Sequence, residues 1–149
     1  MPRDEPTPIA IAIVIDDGRC LIGRRADDAV LGGYWEFPGG KLRAGERPDE
    51  AAERECREET GLEVRVLREL SVVEHRYEYG LVRLYFYECA THGPAIEPKS
   101  RFRWVSLNSL AAYRFPHANE AVIQSLQGRQ EDIRCGATPG AHARGSTCR

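Results

Sequence analysis

Three carboxylates, Glu55, Glu58 and Glu59, crowd together just before Thr60-Gly61. They end a stretch, Glu46 to Glu59, that holds seven acids against three arginines in a chain whose net charge is only −2. On a helix, Glu58 and Glu59 flank Glu55 within an arc of about 100°. Arg54 and Arg57 are expected to point out of that arc, which leaves the three acids uncompensated. They also sit late in the helix, where the macrodipole disfavours anions. A solvated, salt-bridged face is the plain alternative, and the i,i+4 pairs Glu50–Arg54 and Glu53–Arg57 suit it. That reading does not cover Glu55, Glu58 and Glu59. Hard oxygen donors beside the Gly39-Gly40 step suit Mg²⁺, or Mn²⁺, an ion that keeps open positions for water and substrate phosphates. The residues alone thus point to a divalent metal and a phosphate ligand.

The elements that must position these acids follow from pattern. Pro48 to Thr60 reads as a helix, with Pro in its first turn, a narrow apolar stripe of Ala51, Ala52 and Cys56, and Gly61 as its stop. Ile9 to Ile15 is apolar on both faces and reads as a central strand. Asp16 to Gly18 is a turn, and Arg19 to Arg25 returns as the second arm of a hairpin. Gly32 to Gly40 reads as a short aromatic strand entering a Gly-Gly loop. Leu62 to Tyr79 and Leu81 to Ala90 are strands divided by Gly80, and Arg101 to Leu107 is another. Ser106 or Asn108 would cap a short helical turn, and His117 to Gln127 closes the domain as a helix with Val122, Ile123 and Leu126 inward. From Gly128 the sequence is poor in large apolar residues, so 129–149 is expected to be a disordered tail after a domain spanning 1–128.

Composition bounds the rest. The chain has 149 residues, 42% hydrophobic and 30% charged, which fits one domain able to bury its own core. The near-neutral balance argues against a generic nucleic-acid or membrane-surface binder. Cys20, Cys56, Cys89, Cys135 and Cys148 are odd in number and none lies in a C-x-x-C arrangement, so neither a zinc site nor a disulfide framework is expected and a cytoplasmic location is. The opening MPRDEPTP lacks the apolar stretch of a signal peptide.

The spacing becomes more specific when read continuously: Gly40, five residues, Glu46, seven residues, then Arg54-Glu55-Cys56-Arg57-Glu58-Glu59-Thr60-Gly61-Leu62. This resembles the Nudix signature at every defined position. GRRADDA before it, EFPGGK entering it and WVSLNSLAAYRFPHANEAVI after it are similar to the MutT branch, the pyrophosphohydrolases that cleanse 8-oxo-dGTP from the nucleotide pool. The likeness runs over residues 8–127. It implies an α+β fold, the Nudix α/β/α sandwich around a mixed, curved sheet. It implies metal-dependent hydrolysis of a nucleoside triphosphate to monophosphate and pyrophosphate by a monomer with no stable nucleic-acid or membrane partner.

By motif position, the resemblance makes Glu55, Glu58 and Glu59 metal ligands, with the Gly39 carbonyl completing the shell. Glu55 is the first candidate for general base, with Glu58 beside it. Arg54 would pair with Glu46 and hold the loop to the helix, and Gly40 and Gly61 complete the structural positions. Arg25 would reach the phosphates. Asn119 would read an oxidised guanine, whose N7 carries a hydrogen that the amide oxygen accepts while the amide nitrogen donates to O6. Glu36 and Phe37 would line the same pocket, although Phe37 also suits the core. Two positions depart from the pattern. Arg103 stands where the branch has a metal-binding Glu, with Glu97 as a distant substitute. Gly80 stands where a purine-contacting Arg is found, with Arg76 and Arg83 nearby. The alternatives are a relative preferring CTP or dCTP, one acting on a sugar nucleotide or ADP-ribose, and, remotely, a non-catalytic lesion reader.

Overall fold

The computed structural model describes residues 5–136, and their side chains through 128. Strand β1 (Thr7–Asp16) is the axis of the sheet. Its Ile residues face one side and Ala10, Ala12 and Val14 the other, so both faces are covered. It runs parallel to β6 (Gly80–Thr91) from Thr7↔Val82 to Val14↔Cys89. It pairs antiparallel with β2 (Arg19–Arg24) through an Asp17-Gly18 turn in which both residues have positive φ, 54° and 74°. Those angles are the hairpin geometry that Asp-Gly adopts most readily. β2 carries β3 (Trp35–Glu36) and β7 (Phe102–Ser106) on its two edges. β5 (Val64–Tyr77) forms a long hairpin with β6 and has two register shifts, which bend it. One parallel pair among antiparallel ones makes the sheet mixed.

The Gly-Gly step was expected to be a loop. It is instead β4 (Gly39–Lys41), paired antiparallel with β1 at Ile9↔Lys41 and Ile11↔Gly39. A Cβ at Gly39 would strike the Ala10 carbonyl, so glycine is what allows this strand to lie so close.

Helix α1 (Pro48–Thr60) has the expected limits. Glu50 accepts from the Arg47 N–H at its start (3.1 Å), and Gly61 ends it at φ 84°, its N–H bonded to the Arg57 carbonyl (2.9 Å). Its buried face is small: Ala51, Ala52 and Cys56 rest on Ala10, Ala12 and Val14 of β1. Small against small permits a close approach, and that brings α1's carboxylates to β4.

On the other face, Ile13, Ile22, Leu84 and Phe86 pack under a 3₁₀ turn (Leu107–Ala112) and helix α2 (Glu120–Gly136). Ser106 caps the turn, accepting from the Asn108 N–H at 3.2 Å. α2 starts after a 3₁₀ turn at His117–Asn119 and runs past Gln127, where the sequence pattern ends it. Gly128 costs only about 1 kcal/mol inside a helix, and the Arg, Gln and Glu after it are good helix formers. The disorder expected from 129 otherwise concerns residues outside those described. The arrangement is a mixed sheet between two helical layers. Among the described residues, no helix is long and apolar enough to cross a membrane.

Candidate active site

The α1 carboxylates meet protein donors that their spacing did not reveal. Arg54 is buried (8% exposed) and makes a two-pronged pair with Glu46, Nε–Oε2 at 2.7 Å and Nη2–Oε1 at 2.9 Å. Its Nη1 also reaches Glu55 (3.2 Å) and Glu58 (3.3 Å), and Nη2 donates to the Lys41 carbonyl (3.1 Å). Arg43 reaches Glu58 from the preceding loop at 3.0 Å. The expectation that nothing basic enters this arc is therefore corrected. The guanidinium is long enough to fold back along its own helix, and a loop Arg arrives from outside it. The pairs Glu50–Arg54 and Glu53–Arg57 are replaced as well. Glu50 pairs with Arg47, Glu53 accepts the Val66 N–H at 2.8 Å, and Arg57 lies 3.9 Å from Glu63.

Hydrogen bonds from Arg54 and the Arg43 backbone N–H hold Glu46 down at about 2. Glu59 goes the opposite way. Burial pushes its carboxyl up to about 7, the neighbouring charges of Glu55 and Glu36 add to the rise, and the Gly39 N–H (3.1 Å) and Arg101 only partly offset it. Glu55 lies over Gly40, where any Cβ would run into its carboxylate.

A cleft of about 530 Å³ opens beside β4. It brings together Arg25, the run Glu36, Phe37, Gly39 and Gly40, and Asn119, three separate stretches of sequence. Phe37 is also core, 5% exposed and stacked on Phe115 at 4.9 Å. Asn119 is buried, 7% exposed, and no described residue makes a hydrogen bond to its side-chain amide. Arg25 donates to the Val30 carbonyl (2.6 Å) and to Glu36 (2.6 Å). Glu36 is held on its other oxygen by Arg101.

Several contributors were not anticipated. Tyr77 and Tyr79 line the cleft with parallel rings, centroids 5.1 Å apart, and Tyr79 is 63% exposed. Period-2 alternation along β5 was the available signal for Tyr77, whereas Tyr79 lies in the turn after that strand. Arg101 and Arg43 carried none, because each reaches the site from a loop. The departing positions do not join the site. Arg103 stacks over Trp35 at 5.2 Å, Glu97 is exposed in the loop between β6 and β7, and Gly80 is a hairpin residue with open space around it. Arg83 is taken by Glu74, and Arg76 lines a neighbouring hollow.

The donor set is all hard oxygen, and one member, Glu59, is half-buried beside two further carboxylates, which suits a divalent cation. Among the described residues no three such groups converge into a ready-made cage. Glu55, Glu58 and Glu59 are turned onto Arg54, Arg43 and the Gly39 N–H, and they would have to swing inward to share an ion.

Close helix–sheet packing, an acid-rich helix over a Gly-Gly strand and an adjoining cleft define the class. The chain belongs to the Nudix family, whose NUDIX domain matches residues 10–125. It is 34% identical over 125 residues to the 8-oxo-dGTP diphosphatase of Escherichia coli (strain K12), covering 80% of this chain and 95% of that one. A shorter match, 40% over 58 residues, covers 39% of this chain and 43% of the CTP pyrophosphohydrolase of the same organism. Among solved structures, the MutT Nudix hydrolase of methicillin-resistant Staphylococcus aureus 252 superposes with a TM-score of 0.69 at 27% identity, covering 85% of this chain and 99% of that one.

Proposed function

We propose that this Nudix hydrolase cleaves (deoxy)nucleoside triphosphates with Mg²⁺, 8-oxo-dGTP foremost, and so cleanses the cytoplasmic nucleotide pool. The observation that carries this is Asn119, a buried amide without a partner among the described residues, lining the same cleft as the Gly39-Gly40 strand beneath Glu55 and Glu59. A buried amide left unpaired costs about 1–3 kcal/mol. A base offering a donor at N7 and an acceptor at O6 relieves that cost. Ordinary guanine presents a lone pair at N7, and the mismatch amounts to about ten- to a hundred-fold in preference.

Glu55, Glu58 and Glu59 would hold a divalent ion, which when bound would supply charge neutralisation for the phosphates and a more acidic water. The rest is done by this chain's own groups. Glu55, over Gly40, orients the water and takes its proton. Arg54 keeps Glu55 and Glu58 in place while Glu46 balances its charge. Arg25 meets the phosphates. Water adds to phosphorus, the bond to a bridging oxygen breaks, and monophosphate and pyrophosphate leave.

A second reading is a CTP or dCTP preference. The 40% identity over 58 residues to a CTP pyrophosphohydrolase favours it, and the Tyr77–Tyr79 pair admits it, since stacking accepts any base. The deciding test is a product assay with Mg²⁺ on 8-oxo-dGTP, dGTP and dCTP, for the wild type and Asn119→Ala. A strong preference for 8-oxo-dGTP that disappears in the variant is expected. Equal rates on all three in the wild type would remove the oxidised-guanine assignment and keep the hydrolysis.

A further inference from the structure

We infer that Arg101 joins Arg25, which the resemblance already assigns to the phosphates, in a binding subsite for the pyrophosphate end of the substrate. This deepens the proposed function and rests on it. The two guanidiniums converge on a single carboxylate. Arg25 Nη1 donates to one Glu36 oxygen at 2.6 Å and Arg101 Nη2 donates to the other. Two positive charges on one negative leave a surplus of one. Both arginines face a hollow of about 230 Å³ whose other walls are Glu36, Ala26 and Ala29. That volume accommodates a pyrophosphate but not a nucleoside with it.

Placement supports the same occupant. The hollow shares Arg25 and Glu36 with the 530 Å³ cleft that holds Asn119, so a nucleotide with its base at Asn119 can extend its phosphates toward it. Gly39, whose N–H holds Glu59 at 3.1 Å, lines the same larger cleft, so the acid cluster adjoins the space from which the phosphates enter the hollow. The nearby acid Asp27 is already paired with Arg24 at 3.0 Å. Each guanidinium has five N–H donors and has spent one or two on Glu36 and the Val30 carbonyl. The remaining donors can grip phosphate oxygens in pairs. Positive charge held at the leaving group also steadies the charge that develops there as the bond breaks.

The test measures binding directly and needs no turnover. Inorganic pyrophosphate with Mg²⁺, and separately a nucleoside monophosphate, are titrated calorimetrically into the wild type, Arg101→Ala, Arg101→Lys and Ala29→Asp. Ala29 is exposed and lines the hollow, so its variant leaves Arg25, Arg101 and Glu36 in the chain and places a negative charge where the pyrophosphate would sit. Expected is about a tenfold loss of pyrophosphate affinity in Arg101→Ala and in Ala29→Asp, with partial recovery in Arg101→Lys. Monophosphate affinity should stay within about twofold, since only the charged contacts to the distal phosphates are removed. Unchanged pyrophosphate binding in both Arg101→Ala and Ala29→Asp overturns the subsite. So does a parallel loss of both ligands, which would make Arg101 a structural support only. The two readings fail separately: a wild type that releases pyrophosphate from a triphosphate keeps the proposed function even when Arg101 proves irrelevant to that product.

Discussion

Arg54 reaches both Glu55 and Glu58, Arg43 reaches Glu58 alone and the Gly39 N–H holds Glu59, so near-identical side chains sit in different surroundings. Glu58 is 45% exposed and shared by Arg43 and Arg54, whereas Glu55 lies deeper, over Gly40. Glu55→Gln keeps the shape and removes the group proposed as the base. The expected result is a fall in kcat on the order of 10²–10⁴-fold with little change in melting temperature, read by steady-state kinetics beside a thermal scan. A variant with wild-type turnover would exclude Glu55 as the base. Tyr79 addresses a different quantity. A ring that is 63% exposed yet stacked on Tyr77 at the cleft contributes little to folding and is placed to stack on a base. Losing one such contact costs about 1–3 kcal/mol, so Tyr79→Ala should raise KM about tenfold, leave kcat alone and leave the melting temperature unmoved. Equal KM values would show that the base lies elsewhere.

At the scale of elements, α1 and the loop before it act as one piece because Arg54 ties Glu46 to the helix. Glu46 is held at about 2, below the ordinary carboxylate range, so it favours the folded state above about pH 4.5 and loses that contribution as pH falls toward 2. Glu46→Gln should therefore melt lower than wild type at pH 7, and the gap should close as the pH approaches 2. A gap that stays constant across that range would mean that the tie is not ionic. This piece was the most legible in the sequence. The limits of α1, its Gly61 stop and its small-residue stripe follow from local propensity and period, and both show at short range. The strands β1, β2, β5, β6 and β7 were legible for the same reason. What was hidden depends on contacts between distant segments. β4 exists only because Ala10 of β1 accepts a glycine backbone beside it. The neutralisation of Glu55 and Glu58 depends on how far Arg54 and Arg43 reach. Arg101 enters the site from a loop with no periodicity to read. Asn119, Arg25, Glu36 and Phe37 were named through a resemblance, and their convergence on one cleft is a tertiary fact that no single stretch displays.

For the molecule as a whole, the acids concentrated on α1 are a stored electrostatic cost, most of it at Glu59. Burial and the charges of Glu55 and Glu36 push its carboxyl up to about 7, against 4.5 in the unfolded chain. Between these values the folded protein keeps a proton that the unfolded chain has lost. Stability without metal should then be full below about pH 4.5 and fall as pH rises through 7. A divalent cation bound by the ionised cluster replaces that proton and reverses the loss. Binding at about a hundred times Kd contributes about 2.7 kcal/mol, or roughly 5–10 °C in melting temperature for a domain of this size. The increment from Mg²⁺ should be clearly larger at pH 8 than at pH 5.5, where protons compete for Glu59. Glu59→Gln should melt higher than wild type at pH 8 without metal and should lose most of the Mg²⁺ increment. Thermal melts of the two proteins at both pH values, with and without Mg²⁺, decide it. An increment independent of pH, or one that persists in Glu59→Gln, would place the bound ion away from this carboxylate.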